Sequence, residues 1–323
     1  MRTAFVTGGS GFIGGALIRR LVREGWAVRA LARSDGAAAK VTADGAEAVR
    51  GDLSDTADMA IGARGAEVAF HAAATLGDWG RRAEFVAGNV DGTQHVVDAA
   101  RRAGVRRLVH VGTEAAVLAG DRMVMIDERQ PLRPDSPALY SSTKALAEAL
   151  VLAANGEGLE TVVVRPRFVW GRGDTTLLPM LGAMVREGRF AWIGGGRHLT
   201  STAHIDNTVE GLMLGADRGT PGNAYFVTDG TPVVFREFVT RMLATQGLEP
   251  PGRSIPRPAA HALAVAGETA WGALPLPGRP PLTRFAYWVS ALETTIDISR
   301  ARAELGYAPV TTIDEGLAEM MQS

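Results

Sequence analysis

Between its first short β-branched stretch and its first segment of helical apolar spacing, the chain carries Thr7-Gly8-Gly9-Ser10-Gly11-Phe12-Ile13-Gly14. No other feature restricts the fold so strongly. Thr3 to Thr7 reads as a strand. Phe12 to Glu24 reads as a helix, with Ile13, Leu17 and Leu21 on one side and Arg19, Arg20 and Arg23 on the other. In that setting Gly8 makes the tight turn, Gly11 lets backbone amides approach a pyrophosphate, and Gly14 lets the helix pack close to the strand. The helix N-terminus adds partial positive charge. The turn points to a dinucleotide site touched by Gly8, Ser10, Gly11, Phe12, Ile13 and Gly14. The alternative is a plain tight turn.

Glycine is in surplus along the whole chain: 39 of 323 residues, about 12% against a usual level of about 7%. The surplus sits at joints rather than in low-complexity runs. Strands are predicted at Ala27 to Ala32, Glu47 to Val49, Glu67 to His71, Arg107 to Val111 and Thr161 to Val164, with helices at Phe85 to Ala103 and Leu139 to Ala154. Strands alternating with helices imply an α/β fold, a parallel sheet wound on both faces. The second half is richer in Pro and Trp and less regular. A helix at Thr208 to Ala216 and a strand at Ala224 to Thr228 are the exceptions, and proline clusters, one of them Pro275 to Pro281, split the rest of the chain. The expected organisation is a dinucleotide-binding Rossmann domain over 1–166 plus about 203–229, and a smaller, mixed C-terminal substrate domain over about 167–202 plus 230–323.

Composition removes several partners. Net charge is −1, so no global basic field exists to hold nucleic acid or anionic lipid. There is no cysteine, hence no disulfide framework, thiolate nucleophile or Cys-ligated metal. No His/Asp/Glu spacing suggests a metal. No targeting pattern and no run of about 18 apolar residues is found. The apolar stretch from Pro258 to Ala273 is broken by His261, Gly267 and Glu268 and reads as a helix lining a pocket or interface. A cytoplasmic location is the default expectation.

At the end of the second strand an NAD-type site wants an acid for the ribose 2′-hydroxyl. The chain has Ala32 there, followed by Arg33-Ser34. An arginine beside a serine suits a 2′-phosphate, which a carboxylate would repel. NADP(H) is favoured, with NAD(H) open if Arg33 is only a solvated loop residue. Tyr140-Ser141-Ser142-Thr143-Lys144 places a phenol and an amine one helical turn apart. A phenol titrates near 10 and is a poor acid or base at neutral pH; a neighbouring cation favours phenolate and lowers that value.

The G-x-x-G-x-x-G spacing followed by Tyr-x-x-x-Lys resembles the short-chain dehydrogenase/reductase superfamily, and TGGSGFIG resembles its extended branch, the NAD-dependent epimerase/dehydratase group. More of the chain is similar to it. Gly51-Asp52-Leu53 resembles an adenine-contacting segment, although Asp52 also reads as a turn residue. Phe70-His71-Ala72-Ala73-Ala74 resembles the strand end that covers the nicotinamide riboside. Asn89 begins a bracing helix, and Arg165-Pro166-Arg167-Phe168-Val169-Trp170-Gly171 and Thr202 to Asn207 resemble two further segments. The resemblance implies catalytic Thr113, Tyr140 and Lys144. It implies cofactor contacts from Arg33, Asp52, Leu53, Ala72, Ala73, Ala74, Asn89, Tyr140, Lys144, Pro166 and Val169 besides the glycine turn. The usual Ser-Ser after the fifth strand is Gly112-Thr113 here, with Glu114 beside it. For His71 and His204 packing is the simpler reading. A homodimer through the helices at Phe85 to Ala103 and Leu139 to Ala154 is also implied.

Asp78-Trp79-Gly80, Thr202 to Asn207 and Asn223 to Gly230 resemble the 3β-hydroxysteroid dehydrogenase-like group, which includes 2-alkyl-3-oxoalkanoate reductases. Candidate substrate residues are Thr75, Trp79, Glu114, Trp170, Leu178 and Trp192, with core packing as the alternative for the aromatic ones. The Trp and Leu density of the second half points to a largely apolar carbonyl compound, steroid-like or 3-oxoacyl-like, as ketone or secondary alcohol. Two rivals stay open: a nucleotide-sugar epimerase or dehydratase with retained NAD, its diphosphate held by Arg172, Arg186, Arg189 and Arg197, and a non-catalytic dinucleotide-sensing regulator.

Overall fold

The computed structural model describes residues 1–156, 158–274 and 276–322; Pro275, the start of one proline cluster, therefore lies outside the described residues. Strands β1 (Thr3–Thr7), β2 (Ala27–Ala32), β3 (Glu47–Arg50), β4 (Val68–His71), β5 (Arg107–Val111), β6 (Glu160–Pro166) and β7 (Asn223–Val227) form one sheet in the order β7-β6-β5-β4-β1-β2-β3. Every neighbouring pair is parallel. Helices α1 (Phe12–Arg23), α2 (Asp35–Ala43), α3 (Thr56–Ala63), α4 (Gly92–Ala103), α5 (Leu139–Ala153) and α6 (Ile205–Arg218) cover its faces.

The period-2 alternation of β1 decides which helices go where. Ala4 and Val6 join a buried cluster with Leu17, Ile18 and Leu21 of α1 and Val209 and Leu212 of α6. Phe5, between them, joins Met59 of α3, Val96 and Val97 of α4 and Val151 of α5 on the other face. Burying a Val, Leu, Ile or Phe side chain fully stabilises by about 1.5–3 kcal/mol. A sheet covered on both sides needs such residues at almost every position. The sheet order reverses between β1 and β4, and the crevice beyond their C-terminal ends is where α/β folds of this kind hold ligands.

One expected helix is divided. In place of a single helix over Phe85 to Ala103, a π-helical segment, Val86–Asp91, leads into α4. The wider turn carries Asn89 into the interior, 2% exposed, where its side chain is fully engaged. Gly104, with φ +68°, closes α4 in the left-handed conformation.

The second lobe is smaller and mixed. Val233–Val234, Leu199–Thr200, Thr294–Ile296 and Met123–Ile126 make a four-stranded sheet in that order, with one antiparallel and two parallel pairings. Met123–Ile126 thus comes from within 1–166 yet pairs with the chain's late segment. Trp170, Leu178, Trp192, Phe190, Phe235 and Phe238 form the lobe's own apolar core. No helix among the described residues is long and apolar enough to cross a membrane.

Candidate functional site

The glycine turn is built around close approaches. Gly8 has φ +74°, and a Cβ there would lie 2.5 Å from the Ala73 nitrogen and 2.6 Å from the Ala72 carbonyl carbon. The turn is therefore pressed against the end of β4. A Cβ on Gly14 would lie 2.2 Å from the Gly8 carbonyl oxygen, so α1 sits directly on the turn. Gly11 is the N-cap of α1; it makes no side-chain cap, and the first turn contains no acid. The first amides of a twelve-residue helix, including those of Phe12 and Ile13, are left available to an anion.

At the end of β2, exposed Arg33 precedes Ser34, whose Oγ caps α2 by accepting from Ala37 N at 3.2 Å. Parallel pairing puts Arg50 opposite Ala32. Arg50 Nη1 lies 3.1 Å from Asp35 Oδ1, which offsets the one acid close by. Nothing in the local sequence marks Arg50; only the register places it there. Asp52 holds a turn, with Oδ1 accepting from Ser54 N and Oγ at 3.1 Å each, and the Leu53 carbonyl accepts from His95 Nδ1 at 2.9 Å. Asn89 clamps the loop after β4: its Oδ1 accepts from Thr75 N at 2.7 Å, and its Nδ2 donates to Thr75 O and to Thr143 Oγ1, each at 3.1 Å. Ala72, Ala73 and Ala74 are half-buried along that loop.

Thr113 and Tyr140 meet where β5 ends and α5 begins. Burial, with the Glu114 charge adding to it, pushes the Tyr140 phenol above its ordinary value, and the neighbouring Thr113 hydroxyl opposes the shift. Thr113 Oγ1 donates to Glu114 Oε2 at 2.9 Å and accepts from Ala115 N at 3.1 Å. Glu114 Oε1 is in turn paired with the fully buried Arg167 Nη1 at 2.5 Å, and Arg167 donates to Thr200 Oγ1 at 3.0 and 3.2 Å.

Lys144 shares the helix with Tyr140, one turn on, but its ammonium donates to Val111 O at 2.9 Å and meets His110 Nε2 at 3.0 Å. The expectation that Lys144 lowers the phenol is thus not what this geometry gives: the amine is engaged by β5, and burial together with Glu114 decides the direction at Tyr140. Burial brings Lys144 itself down to about 8, against the opposing charge of Glu148. Glu148 accepts from Arg165 Nε at 2.8 Å in a second buried pair. His110 is held well below its ordinary value by burial and by Lys144, so it is a neutral acceptor for the amine.

His71 lies beside His110, ring centroids 5.1 Å apart, and burial and Lys144 hold it down to about 3. Thr93 Oγ1 donates to Asn89 O at 2.6 Å, so it accepts from His71 Nε2–H at 2.9 Å, and His71 Nδ1 accepts from Thr7 Oγ1 at 2.7 Å. That network assigns the tautomer. His71 thereby joins β1, β4 and α4. His204 Nδ1 accepts from Asp206 N at 3.3 Å and caps α6. Although no sequence spacing suggests a metal, His204, Asp206 and Glu319 bring one possible ligand atom each to within 4.8 Å of one another.

The candidate substrate residues divide. Thr75 lies in the clamped loop by the site, and half-buried Trp79 follows it. Glu114 touches Thr113, with both carboxylate oxygens engaged by Thr113 and Arg167. Trp170, Leu178 and Trp192 are buried in the core of the second lobe; Trp170 Nε1 donates to Asp229 Oδ2 at 2.9 Å. Pro166 ends β6 and Val169 pairs with Ala203, on either side of Phe168 at φ +47°. The aromatic residue that does reach Tyr140 is Phe285, edge to face at 5.6 Å, on the helix Arg284–Ala291. Nothing in the local sequence signals this contact across about 145 residues.

Comparison with known proteins agrees with the architecture. The model of the 3-beta hydroxysteroid dehydrogenase/isomerase family matches residues 5–257. The chain is 47% identical over 323 residues to the 4-hydroxy-2-methyl-3-oxo-4-farnesyl-3,4-dihydroquinoline-1-oxide ketoreductase of Stigmatella aurantiaca, across 100% of this chain and 96% of that protein. It is 36% identical to the 2-alkyl-3-oxoalkanoate reductase of Stenotrophomonas maltophilia, across 98% of each. The solved structure of MoeE5 in complex with UDP-glucose and NAD has a TM-score of 0.75 at 25% identity, covering 99% of this chain and 97% of that one.

Proposed function

This chain belongs to the 3-beta hydroxysteroid dehydrogenase/isomerase family, and on that premise we propose that it is an NADP(H)-dependent ketoreductase for a largely apolar ketone, with Tyr140 as the proton donor. The chain is a nicotinamide-dependent oxidoreductase of ketones and secondary alcohols. The cofactor choice, the roles of single residues and the substrate class are the proposal. One observation carries it: a half-buried phenol stands beside Thr113 with an amine one turn along the same helix, at the ligand-holding end of the sheet.

The chain's residues fit the cofactor. The uncapped N-terminus of α1 and the side-chain-free turn suit a pyrophosphate. Arg33, Ser34 and Arg50 at the ends of β2 and β3 suit a 2′-phosphate, and Asp35, the nearby acid, is already paired with Arg50. When bound, the nicotinamide supplies the hydride. Tyr140 gives its proton to the carbonyl oxygen as the carbon becomes a secondary alcohol carbon. A phenol held protonated by burial and by Glu114 is suited to that donation. Thr113 orients the oxygen, which requires its hydroxyl to turn from Glu114. Lys144, anchored by Val111 and His110, holds the ribose hydroxyls.

A ketone panel run with NADPH and NADH tests the reading. Tyr140→Phe is expected to abolish reduction while leaving the NADPH dissociation constant within about threefold; loss of NADPH binding would sink the assigned role. Arg33→Asp is expected to move preference toward NADH by tenfold or more, and an unmoved ratio would place the phosphate elsewhere. A tightly retained cofactor with no net NADPH consumption would favour the epimerase or dehydratase reading. Bound NADPH with no turnover across the panel would favour a sensor.

A further inference from the structure

Away from the Tyr140 phenol, the second lobe holds a cavity of about 460 Å³ lined by Arg122, Gly194, Arg197, His198, Arg257 and Glu293. Gly194 opens the run Gly194-Gly195-Gly196, whose φ angles are +57°, +76° and +66°. A Cβ on Gly194 would lie 2.8 Å from Arg257 Nε, so the arginine stem lies directly against bare backbone. Leucine or alanine could not take these dihedrals without strain. Gly194 therefore leaves the room in which the Arg257 side chain lies.

The charges do not cancel. Arg122 Nη2 pairs with Glu293 Oε2 at 2.7 Å. Arg197 and Arg257 form no ion pair with a carboxylate among the described residues. His198 is 6% exposed, stacks on Phe235 at 4.9 Å, and neither ring nitrogen has a hydrogen-bond partner. A neutral imidazole always carries one N–H, and leaving a buried donor unsatisfied costs about 1–3 kcal/mol. Burial, then the charges of Arg257 and Arg167, hold His198 down to about 4, with Glu293 opposing. At neutral pH it offers a donor and no charge, in a cavity that Arg197 and Arg257 also line.

We propose that this cavity is an oxyanion-binding site for the phosphate or carboxylate of a small ligand, held by Arg197 and Arg257 with His198 donating from the floor. Guanidinium forks match both groups in geometry and charge. The site is separate from the reacting carbonyl. Neither Tyr140 nor Thr113 lines the cavity, and Glu293 lies two residues past the end of the helix that rests Phe285 on Tyr140, a helix that advances roughly 9 Å from Phe285 to Ala291. A 3-oxo acid's own carboxylate is therefore not what reaches it. The occupant is either an anionic group remote from the ketone on the same substrate, which rests on the ketoreductase reading, or a free anion.

The test uses the full chain labelled at its histidine ring nitrogens, with the His198 signal assigned by its loss in His198→Asn. Inorganic phosphate and acetate are titrated at pH 7. A saturable His198 shift is expected with at least one anion, weakening as salt is added. The Arg197→Gln/Arg257→Gln variant, altered at two exposed positions, is expected to weaken binding at least tenfold. No saturable shift with either anion, or undiminished affinity in the double variant, overturns the proposal. A ketone with a remote carboxylate and its methyl ester separate the sources. If the anion belongs to the substrate, the double variant raises KM for the acid at least tenfold more than for the ester, and phosphate competes with the acid. If it is a free anion, the two KM values move together while phosphate still shifts His198. Should neither ketone be reduced, the ketoreductase reading fails and the His198 titration still decides the cavity.

Discussion

At Lys144 the fold keeps a basic side chain where water cannot reach it, 3% exposed, and the sign of the consequence can be worked out. Its value falls from 10.5 in the free side chain to about 8 in the folded protein. Below pH 8 both states hold the proton and the folded state bears the whole burial cost, about 3 kcal/mol for a shift of this size. Between pH 8 and 10.5 the unfolded chain binds a proton that the folded chain has released, so this group makes stability rise with pH across that window. Lys144→Met removes the group, and with it that rise. Urea unfolding of both proteins across the window is expected to give a stability difference that shifts in favour of the wild type as pH increases. Tyr140, present in both, cancels in the comparison. Parallel profiles would mean that the amine titrates normally and that its contacts with Val111 and His110 do not hold it out of water.

The turn between β1 and α1 gives a prediction of a different kind, because two glycines with nearly the same dihedral have unlike surroundings. Gly8 (φ +74°) faces the backbone of Ala72 and Ala73, whereas Gly25 (φ +78°), after α1, has nothing within 4 Å of a built Cβ. Gly25→Ala is expected to cost only the left-handed backbone, about 1–2 kcal/mol, with dinucleotide affinity unchanged. Gly8→Ala must also push β4 away from the turn, and is expected to lose dinucleotide binding by tenfold or more with a larger fall in thermal stability; equal behaviour of the two would remove the close approach as the reason for glycine. This contrast also marks where sequence reading succeeds. The glycine turn and the Tyr140/Lys144 pair are patterns at separations of three and four, so their geometry is fixed by one turn or one helix. Arg50 comes opposite Ala32, the residue before Arg33, only through parallel register. Trp170 and Trp192 carry the composition of a substrate pocket but face a core, since aromatic character does not say which side of a wall a ring occupies. The π-helical insertion before α4 is not legible in the sequence, because a single turn is too short to set up a period of its own.

Across the molecule, the late segment is tied back over the start of the site. Asp78, in the loop after β4, accepts from Thr283 Oγ1 at 2.8 Å and from Arg279 Nη2 at 3.1 Å. Thr283 caps the helix Arg284–Ala291 by accepting from Ala286 N at 3.0 Å, and Glu268 accepts from Arg284 N at 2.7 Å. The same helix puts Phe285 against Tyr140 and Trp288 against Gly120. One carboxylate therefore connects the loop clamped by Asn89 to the helix that covers the phenol. The Asp78 side chain is only 14% exposed and serves two donors; Asp78→Ala leaves buried Thr283 without its acceptor, about 1–3 kcal/mol, while exposed Arg279 turns to water. The glycine turn and Lys144 do not touch this tie. The expected outcome is a several-fold rise in KM for the ketone, faster amide exchange over Thr283 to Ala286, and an NADPH dissociation constant within twofold of the wild type. Unchanged exchange and KM would show that Phe285 is held by packing alone. An equal loss of NADPH affinity would show that the tie acts on the β4 loop rather than on the covering helix.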